Sequence, residues 1–171
     1  GHVTGSARYT DDVPDPPGLL HGFLVVSPHA RARIRSRRGP AIFAADIPGH
    51  NRIGPIVHDE PVLAEDEVFF AGQAVAVVWA ETREEARRRA AAVQVDYEPM
   101  EPVLTLEAAM AAQSFLTTPH VIARGDVSGA LSRAAHVVEG RTRTGGQDHF
   151  YLETHAALCI PEDGGNFRIL S

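Results

Sequence analysis

The decapeptide GGQDHFYLET (Gly145–Thr154) carries the most chemically versatile group of side chains in the sequence. Gln147, Asp148 and His149 place an amide, a carboxylate and an imidazole in a row behind two glycines. The neutral amide of Gln147 can donate a hydrogen bond to an oxo or carbonyl oxygen, and the glycines let a bulky group approach the backbone closely. These residue types permit a ligand-binding role for Gln147, and they are equally typical of a surface turn.

Three residues of metal-ligating type, His149, Glu153 and His155, lie close together in the same region. On a strand they would share a face, but a rise of about 3.3 Å per residue would separate His149 from His155 by roughly 20 Å. Two zinc ligands each lie about 2 Å from one ion, so a strand cannot supply both histidines. A helix would bring His149 near Glu153 and turn His155 away. We therefore predict no protein-ligated metal in this region.

The overall composition is that of an ordinary globular protein. Of the 171 residues, 44% are hydrophobic and 22% are charged, and the formal net charge is −6. Arginines cluster at residues 31–38 and 87–89. The few aromatic residues are not interleaved with these clusters, which argues against nucleic acid as a partner. The apolar runs are too short to cross a bilayer, and the first residues do not resemble a signal peptide. We therefore expect a cytoplasmic protein that does not bind membranes.

Two common catalytic motifs are absent from the sequence, and its cysteine content is minimal. There is neither a phosphate-binding glycine-rich loop nor a Gly-x-Ser-x-Gly nucleophile motif. The single cysteine, Cys159, excludes an internal disulfide. It lies in an apolar run, which predicts a buried and unreactive thiol.

The elements that must position these residues begin with short strands. Gly18–Ser27 is rich in β-forming residues, and His29–Ser36 alternates alanine or isoleucine with arginine and serine, as a half-exposed strand does. A region rich in glycine and proline turns follows. Val68–Ala80 then predicts two strands, or one strand that bends at Gly72.

The clearest helix signal comes next. Thr82 and Glu85 form a capping box, in which each side chain takes a free backbone N–H at the helix start. The segment REEARRRAAA consists of strong helix formers, with Ala86 and Ala90 as a narrow apolar stripe. The following VQVDYEP alternates as a strand does. A strand, a helix and a strand in succession predict a crossover unit, which is normally right-handed.

The rest of the chain predicts two more helices and several strands. Thr105–Gln113 forms a second helix, and SFLTTPH after it is the best domain boundary. Asp126 can cap a third helix at DVSGALSRA, and strands are predicted at HVVEGRTRT, YLETHAALCI and FRILS. The architecture is therefore α/β or α+β, with a first unit over residues 1–115 and a second over residues 116–171.

A series of segments along nearly the whole chain is specific in its order and spacing. These segments are HVTGSARYTDD, SPHARARIRS, AADIPG, IGPIVHDEPVLA, FAGQAVAVVWAET, VQVDYEP, RGDVSGALSRAAHVVEG and GGQDHFYLET. In them the chain resembles the start of the molybdenum-binding subunit in the xanthine dehydrogenase/aldehyde oxidase family of molybdenum hydroxylases. IGPIVHDEPVLA and GGQDHFYLET favour the xanthine dehydrogenase branch. The family usually has a longer connection where this chain has only RRGP, residues 37–40.

The resemblance implies a fold and a site. The fold is α+β: an α/β hammerhead domain over residues 1–115, then the truncated start of a molybdopterin-binding α/β domain over residues 116–171. Gln147 would be both cofactor-binding and catalytic, because the matching glutamine of the family hydrogen-bonds the apical oxo group of the molybdenum. The other pterin-contacting, substrate-binding and base residues would lie beyond Ser171. The chain alone is therefore expected to be inactive and to lack the molybdenum–molybdopterin cofactor.

The resemblance also implies an activity and partners. The complete enzyme would hydroxylate the purines hypoxanthine and xanthine to urate. Electrons would pass through 2Fe–2S clusters and FAD, carried by a partner subunit or region, to NAD, and the remainder of the large subunit would be a second partner. A related aldehyde or N-heterocycle hydroxylase is the alternative enzyme. A purely structural, subunit-docking module is the alternative of another class, and it is the favoured interpretation for the hammerhead portion.

Overall fold

Two compact units make up the described part of the chain. The structure, a computed structural model, describes residues 1–151 and 155–171. Pro16–Phe115 form one unit, and Gly1–Asp15 form the other together with Leu116–Ser171. The domain boundaries at 1–115 and 116–171 stay a prediction, because this division reports compactness and not the extent of either domain.

The unit Pro16–Phe115 consists mainly of short antiparallel strands. Two three-stranded sheets, in the orders β1–β7–β3 and β6–β2–β8, accompany a β4–β5 ribbon, and every pairing is antiparallel. This arrangement, with helices added outside the sheets, confirms the α+β prediction. The elements are β1 (His21–Val26), β2 (Ala32–Arg38), β3 (Ile42–Phe43), β4 (Arg52–Ile53), β5 (Glu60–Pro61), β6 (Glu67–Val68), β7 (Ala74–Ala80), α1 (Arg83–Ala92), β8 (Gln94–Pro99) and α2 (Leu106–Ala111).

The predicted crossover unit is wrong. Strands β7 and β8 flank α1 as expected, but β7 is the central strand of one sheet and β8 is an edge strand of the other. Their partners are β1 and β2, with Leu24 opposite Val77 and Ile34 opposite Tyr97. A strand–helix–strand pattern fixes the order of elements and not the sheet that each strand joins. Here two earlier strands supply antiparallel partners, so α1 links two sheets.

The region around Gly72 contains two strands, as one form of the prediction had it. Strand β6 ends at Val68 and β7 begins at Ala74, and the two strands join different sheets. Gly72 between them has a φ of +93°, which is costly for any residue with a Cβ. The glycine therefore lets the chain turn from one sheet into the other.

The short RRGP connection is accommodated by another glycine. Strand β2 runs to Arg38 and β3 begins at Ile42, so the chain changes sheets within a few residues. Gly39 makes this turn with a φ of +135°. The short connection is thus compatible with continuous strands on both sides.

The helices follow their local capping signals. The Thr82 hydroxyl accepts a hydrogen bond from the Glu85 N–H at 3.2 Å, while the Glu85 carboxylate contacts Arg88 and Arg89, so the structure shows the hydroxyl half of the predicted capping box. The predicted stripe of α1 is buried as Ala86 and Ala90. Thr105 caps α2 in the same way. Within residues 1–151 and 155–171, none of the helices has the length and hydropathy needed to cross a bilayer.

One cluster of the core joins strands β2 and β6 to strand β7 of the other sheet. Its buried members are Ala32, Ile34, Ala64, Val68 and Val75. Val95 and Tyr97 pack against this cluster, and burial raises the pKa of the Tyr97 hydroxyl. The alternation of β2 is therefore confirmed, with alanine and isoleucine inward and arginine outward.

Arg31, just before β2, and the outward arginines of β2 form a chain of ion pairs with the neighbouring strands. Glu67 of β6 lies 4.0 Å from Arg31 and 3.7 Å from Arg33. Glu98 of β8 lies 4.0 Å from Arg33 and also contacts Arg35. Because Arg33 sits directly opposite both Glu67 and Glu98, the charges alternate across three strands and fix the register of the sheet.

The second unit contains α3 (Val127–Arg133), β9 (Leu158–Pro161) and β10 (Phe167–Leu170) among its described residues. The Asp126 carboxylate accepts a hydrogen bond from the Gly129 N–H at 2.8 Å, which confirms the predicted cap. Strand β9 takes up only the end of the predicted YLETHAALCI strand, and Leu152–Thr154 lie outside the described residues. Strand β10 pairs with β9 in antiparallel register.

The predicted strand HVVEGRTRT is wrong. These residues have no regular secondary structure, and the side chains of Val137 and Val138 are exposed. A strand needs a neighbour to satisfy its backbone N–H and C=O groups, and no strand within residues 1–151 and 155–171 pairs with this segment. The residue pattern is suited to a strand, but the pairing is missing.

The prediction of a buried Cys159 is also wrong, since this thiol is exposed. Cys159 lies opposite Ile169 in the β9–β10 ribbon. Phe167 shares that face and is itself exposed, because a two-stranded ribbon cannot cover both of its own faces. The apolar run around Cys159 therefore contributes to an exposed apolar surface.

We expect Cys159 to react with a maleimide at nearly the rate of a free thiol, because access is not blocked. The measurement is the labelling rate of the native chain beside that of the same chain unfolded in urea. The two rates should agree within about threefold. An acceleration on unfolding of about tenfold or more would show that Cys159 is protected, as burial slows thiol reactions.

Candidate functional site

Gln147 lies in an open stretch of backbone. Residues 145–151 have no regular secondary structure, and the Gln147 side chain is exposed. A Cβ placed on Gly145 or on Gly146 would meet no heavy atom within 4 Å. Among the described residues, the Gln147 amide has no hydrogen-bond partner. The segment therefore leaves room for a bulky group beside a free amide.

The residues after Gln147 form a turn with exposed aromatic rings. The Asp148 carboxylate accepts a hydrogen bond from the Phe150 N–H at 3.4 Å. Phe150 has a φ of +50°, which is uncommon for a bulky residue. The His149 and Tyr151 rings stack with an interplanar angle of 2° and a centroid distance of 5.8 Å. The turn holds these two rings together while Phe150 extends into solvent, 90% exposed.

The prediction that His149 and His155 do not share a metal ion considered both histidines on one strand. The structure places neither histidine on a strand, because β9 begins only at Leu158. Glu153 lies outside the described residues. Among the residues that are described, no group of three histidine, cysteine or carboxylate side chains could hold a metal ion. The absence of a protein-ligated metal here stays a prediction.

The Gln147 segment is compatible with a large cofactor that brings its own metal. A neutral amide adds no charge when it donates to a cofactor oxygen, and the open backbone at the two glycines accepts a bulky neighbour. The Gln147 side chain is exposed, and one side chain cannot enclose a ligand. Gln147 therefore fits one contact of a cofactor site and not a complete pocket.

A separate cleft of about 380 Å³ lies beside the β4–β5 hairpin of the first unit. The sequence of this region predicts only turns and no site. Four carboxylates and one guanidinium give the lining a formal charge of −3. The lining residues are Arg52, Asp59, Pro61, Glu65, Asp66, Glu67 and Phe69.

Hydrogen bonds fix the hairpin next to this cleft. The Asn51 amide donates to the Leu63 carbonyl at 2.8 Å and to the Glu65 carboxylate at 3.0 Å, and its oxygen accepts from the Leu63 N–H. Arg52 donates to the other Glu65 oxygen at 3.0 Å. At the tip, Gly54 has a φ of +145°. No local sequence signal marks this clamp, because Asn51 and Glu65 lie 14 residues apart.

These contacts make Glu65 a source of acid sensitivity. The hydrogen bond from Asn51, then that from Arg52 and the Arg52 charge, lower the pKa of the Glu65 carboxyl below its ordinary value. A lowered folded-state pKa stabilises the fold above the ordinary pKa, and this contribution is lost as the pH falls through the lowered value.

We expect the Glu65→Gln variant to be less stable than the wild type at neutral pH and to approach it in acid. The measurement is urea unfolding of both proteins from about pH 7 to about pH 3, the range in which carboxylates titrate. Asp96, whose pKa is lowered by hydrogen bonds from Ser36 and Arg38, remains in both and cancels in the difference. A difference in unfolding free energy that does not change with pH would contradict the assignment.

Comparisons with known proteins find two family matches along the chain. Residues 40–101 match the family "Aldehyde oxidase and xanthine dehydrogenase, a/b hammerhead domain", and residues 112–171 match the family "Molybdopterin cofactor-binding domain". Gln147 thus lies in the cofactor-binding match and the cleft in the hammerhead match.

Among curated proteins, a xanthine dehydrogenase of Oryza sativa subsp. japonica is 40% identical over 180 residues, covering 96% of this chain and 13% of that protein. A nicotinate hydroxylase of Emericella nidulans is 39% identical, covering 95% of this chain and 13% of that protein. The solved aldehyde oxidoreductase from Desulfovibrio gigas superposes with a TM-score of 0.82 at 27% identity, covering 98% of this chain and 22% of that one. The chain thus spans a small part of the length of each.

Proposed function

The chain belongs to the aldehyde oxidase and xanthine dehydrogenase family, and from this premise we propose that it is part of a molybdenum hydroxylase that converts hypoxanthine and xanthine to urate. The observation that carries the proposal is the similarity to a xanthine dehydrogenase over nearly the whole chain. Under this proposal 2Fe–2S clusters and FAD, on a partner subunit or region, pass the electrons to NAD in the cytoplasm.

Gln147 is the residue of this chain that we assign to the cofactor. When bound, the molybdenum–molybdopterin group supplies the two-electron chemistry that hydroxylates an electron-poor ring carbon. Gln147 donates a hydrogen bond from its amide to a cofactor oxygen, and the absence of side chains at the two preceding glycines permits that approach. The amide holds its proton throughout, so its contribution is orientation and charge stabilisation rather than proton transfer.

A second enzyme function has a specific observation in its favour. The nicotinate hydroxylase is nearly as similar to this chain as the xanthine dehydrogenase is. Both of their substrates are electron-poor nitrogen heterocycles, whereas an aldehyde is not. A hydroxylase for an N-heterocycle other than a purine is therefore the alternative candidate.

The test is a substrate panel on the complete enzyme that contains this chain. We expect turnover of hypoxanthine and xanthine with NAD as acceptor, and kcat/KM at least about 10²-fold lower for nicotinate and for an aldehyde, a discrimination that polar substrate contacts readily supply. Metal analysis in parallel should find molybdenum. A preference for nicotinate would select the alternative, and an enzyme without molybdenum would overturn both.

The unit Pro16–Phe115 has a different role in this proposal. It contributes no residue that we assign to the cofactor, yet it exposes several large apolar side chains. Surfaces of that kind mark protein–protein contacts. We assign to this unit the docking of the region that carries the iron–sulfur clusters and FAD.

We expect the 171-residue chain, expressed alone, to contain no molybdenum and to show no hydroxylase activity. Gln147 is the single contact that we assign, and tight cofactor sites enclose most of the ligand surface. The measurement is metal analysis of the purified chain, with the complete enzyme as the positive control. Near-stoichiometric molybdenum in the chain alone would contradict the expectation.

A further inference from the structure

The tip of the β4–β5 hairpin holds two aliphatic side chains away from the rest of its unit. Ile56 is 92% exposed and Val57 is 64% exposed. Ile53, the residue of β4 next to the tip, is also exposed. Hydrophobic side chains of this size are costly to keep in water, and a group of them on one projection is typical of a binding surface.

The hairpin is preorganised rather than loose. The Asn51 and Arg52 contacts fasten its base to Leu63 and Glu65, and the Val62 N–H donates to the Asn51 carbonyl at 3.0 Å. At the tip, a Cβ on Gly54 would lie 1.9 Å from the Val57 carbonyl oxygen, so the turn is tightly closed. A surface that is already ordered loses little conformational entropy on binding.

The cleft beside the hairpin adds a charge to this apolar surface. Its lining combines four carboxylates with Arg52 and with Phe69, which is 60% exposed. Glu65 and Glu67 are engaged by arginines of the same unit, which leaves Asp59 and Asp66 as the acidic groups most open to a partner. An apolar projection next to an acidic cleft is complementary to an apolar pocket bordered by lysine or arginine.

We propose that the hairpin tip and this cleft together form the docking surface for the iron–sulfur/FAD region, which presents an apolar pocket with a basic rim. Ile56 and Val57 enter the pocket, and Asp59 and Asp66 face the basic rim. This inference rests on the docking role proposed above for the unit Pro16–Phe115. The acidic cleft disfavours an anionic membrane or a nucleic acid as the occupant.

The test is the affinity of the 171-residue chain for the purified iron–sulfur/FAD region of the same enzyme, measured by calorimetry. Ile56→Ser should weaken binding by about tenfold or more, as a central anchor does. Leu104→Ser is the matched control, because Leu104 is an exposed aliphatic residue of the same unit, 74% exposed, that does not line the cleft. This control should bind like the wild type.

The charges are tested separately. The double variant Asp59→Asn, Asp66→Asn should bind more weakly and lose part of the salt dependence that the wild type shows between about 0.05 and about 0.5 M NaCl. Glu84→Gln on α1 is the control, because it removes a carboxylate away from the cleft. An unchanged salt dependence in the double variant would overturn the assignment of the basic rim.

The outcomes separate this inference from the docking role itself. If the wild-type chain fails to bind the iron–sulfur/FAD region, the docking role is wrong and the inference falls with it. If the wild type binds and Ile56→Ser binds equally well, docking occurs at another surface and only the inference is overturned. Self-association of the chain that is lost in Ile56→Ser would identify a second copy as the occupant and would also overturn it.

Discussion

Replacing Gln147 by alanine in the complete enzyme is expected to lower turnover per bound molybdenum by up to about 10²-fold, with the binding constant of the substrate nearly unchanged. Removing one preorganised hydrogen-bond donor costs about 10² to 10³ in rate in other enzymes. We expect the lower end because an oxo group of the cofactor is a weaker acceptor than a full oxyanion. Under the proposed role the amide would contact the cofactor and not the substrate, so the substrate constant should hold.

The Gln147→Glu variant separates hydrogen bonding from simple packing. Glutamate has nearly the same shape as glutamine, but its carboxylate carries a negative charge and donates no hydrogen bond when ionised. The turnover of Gln147→Glu should therefore be slower than that of Gln147→Ala. Molybdenum content, measured on each variant, distinguishes a slower site from one that has lost the cofactor. Wild-type turnover per molybdenum in Gln147→Ala would return Gln147 to an ordinary turn residue.

The second large effect is expected at the tip of the β4–β5 hairpin. Gly54→Ala should lower the free energy of unfolding by about 2–4 kcal/mol, since it combines backbone strain at an unfavourable φ with overlap against backbone atoms. The overlap is severe, because the new Cβ would lie 1.9 Å from the Val57 oxygen and 2.9 Å from its carbonyl carbon. Both are main-chain atoms, so no side-chain rotation relieves the contact. Urea unfolding monitored by the fluorescence of Trp79, which lies in the same unit, measures the change.

Gly49→Ala is the matched control for this substitution. It lies in the same turn-rich region, but its added Cβ would meet nothing within 4 Å. Its effect on unfolding should remain within about 0.5 kcal/mol, as is usual for a surface change without a special backbone role. Equal stabilities of the two variants would mean that the turn at Gly54 relaxes, and the hairpin tip would then not be rigid.

Local signals were sufficient for the helices. Thr82, Thr105 and Asp126 each cap a helix that the sequence predicts, because a cap and its helix lie within a few residues of one another. The same is true of Gly72, where a single positive φ lies in the turn between one strand and the next. Features decided within one turn of backbone can be inferred from the residues that form it.

Features that depend on distant partners were harder to infer. Whether β8 follows β7 in one sheet depends on β1 and β2, more than 40 residues earlier, as the pairing of Ser36 with Asp96 illustrates. The predictions for Cys159 and for the segment His136–Thr144 were wrong for a related reason. Whether a residue is buried or a segment is paired depends on what packs beside it. An apolar or alternating pattern states what a segment could bury, not what lies beside it.

The candidate site shows the same division. The residue types around Gln147 permitted a cofactor contact but did not select it, and the resemblance to a family of known enzymes supplied the role. The sequence does not indicate the hairpin cleft, because no local pattern links Asn51 to Glu65. Their bond crosses 14 residues of turns and short strands, and only the folded chain brings them within 3.0 Å.

The pairing of early strands with late ones has a consequence for biosynthesis. Strand β1 ends at Val26, but its partner β7 begins only at Ala74. Strand β2 is likewise synthesised long before its partner β8. A ribosome adds about 5–20 residues per second, so β1 would emerge with its backbone and apolar side chains unpaired for roughly 2–10 s. Pairings so distant along the chain also slow folding once synthesis is complete. We therefore expect the nascent hammerhead unit to expose unpaired strands during translation, which is the kind of surface that chaperones shield.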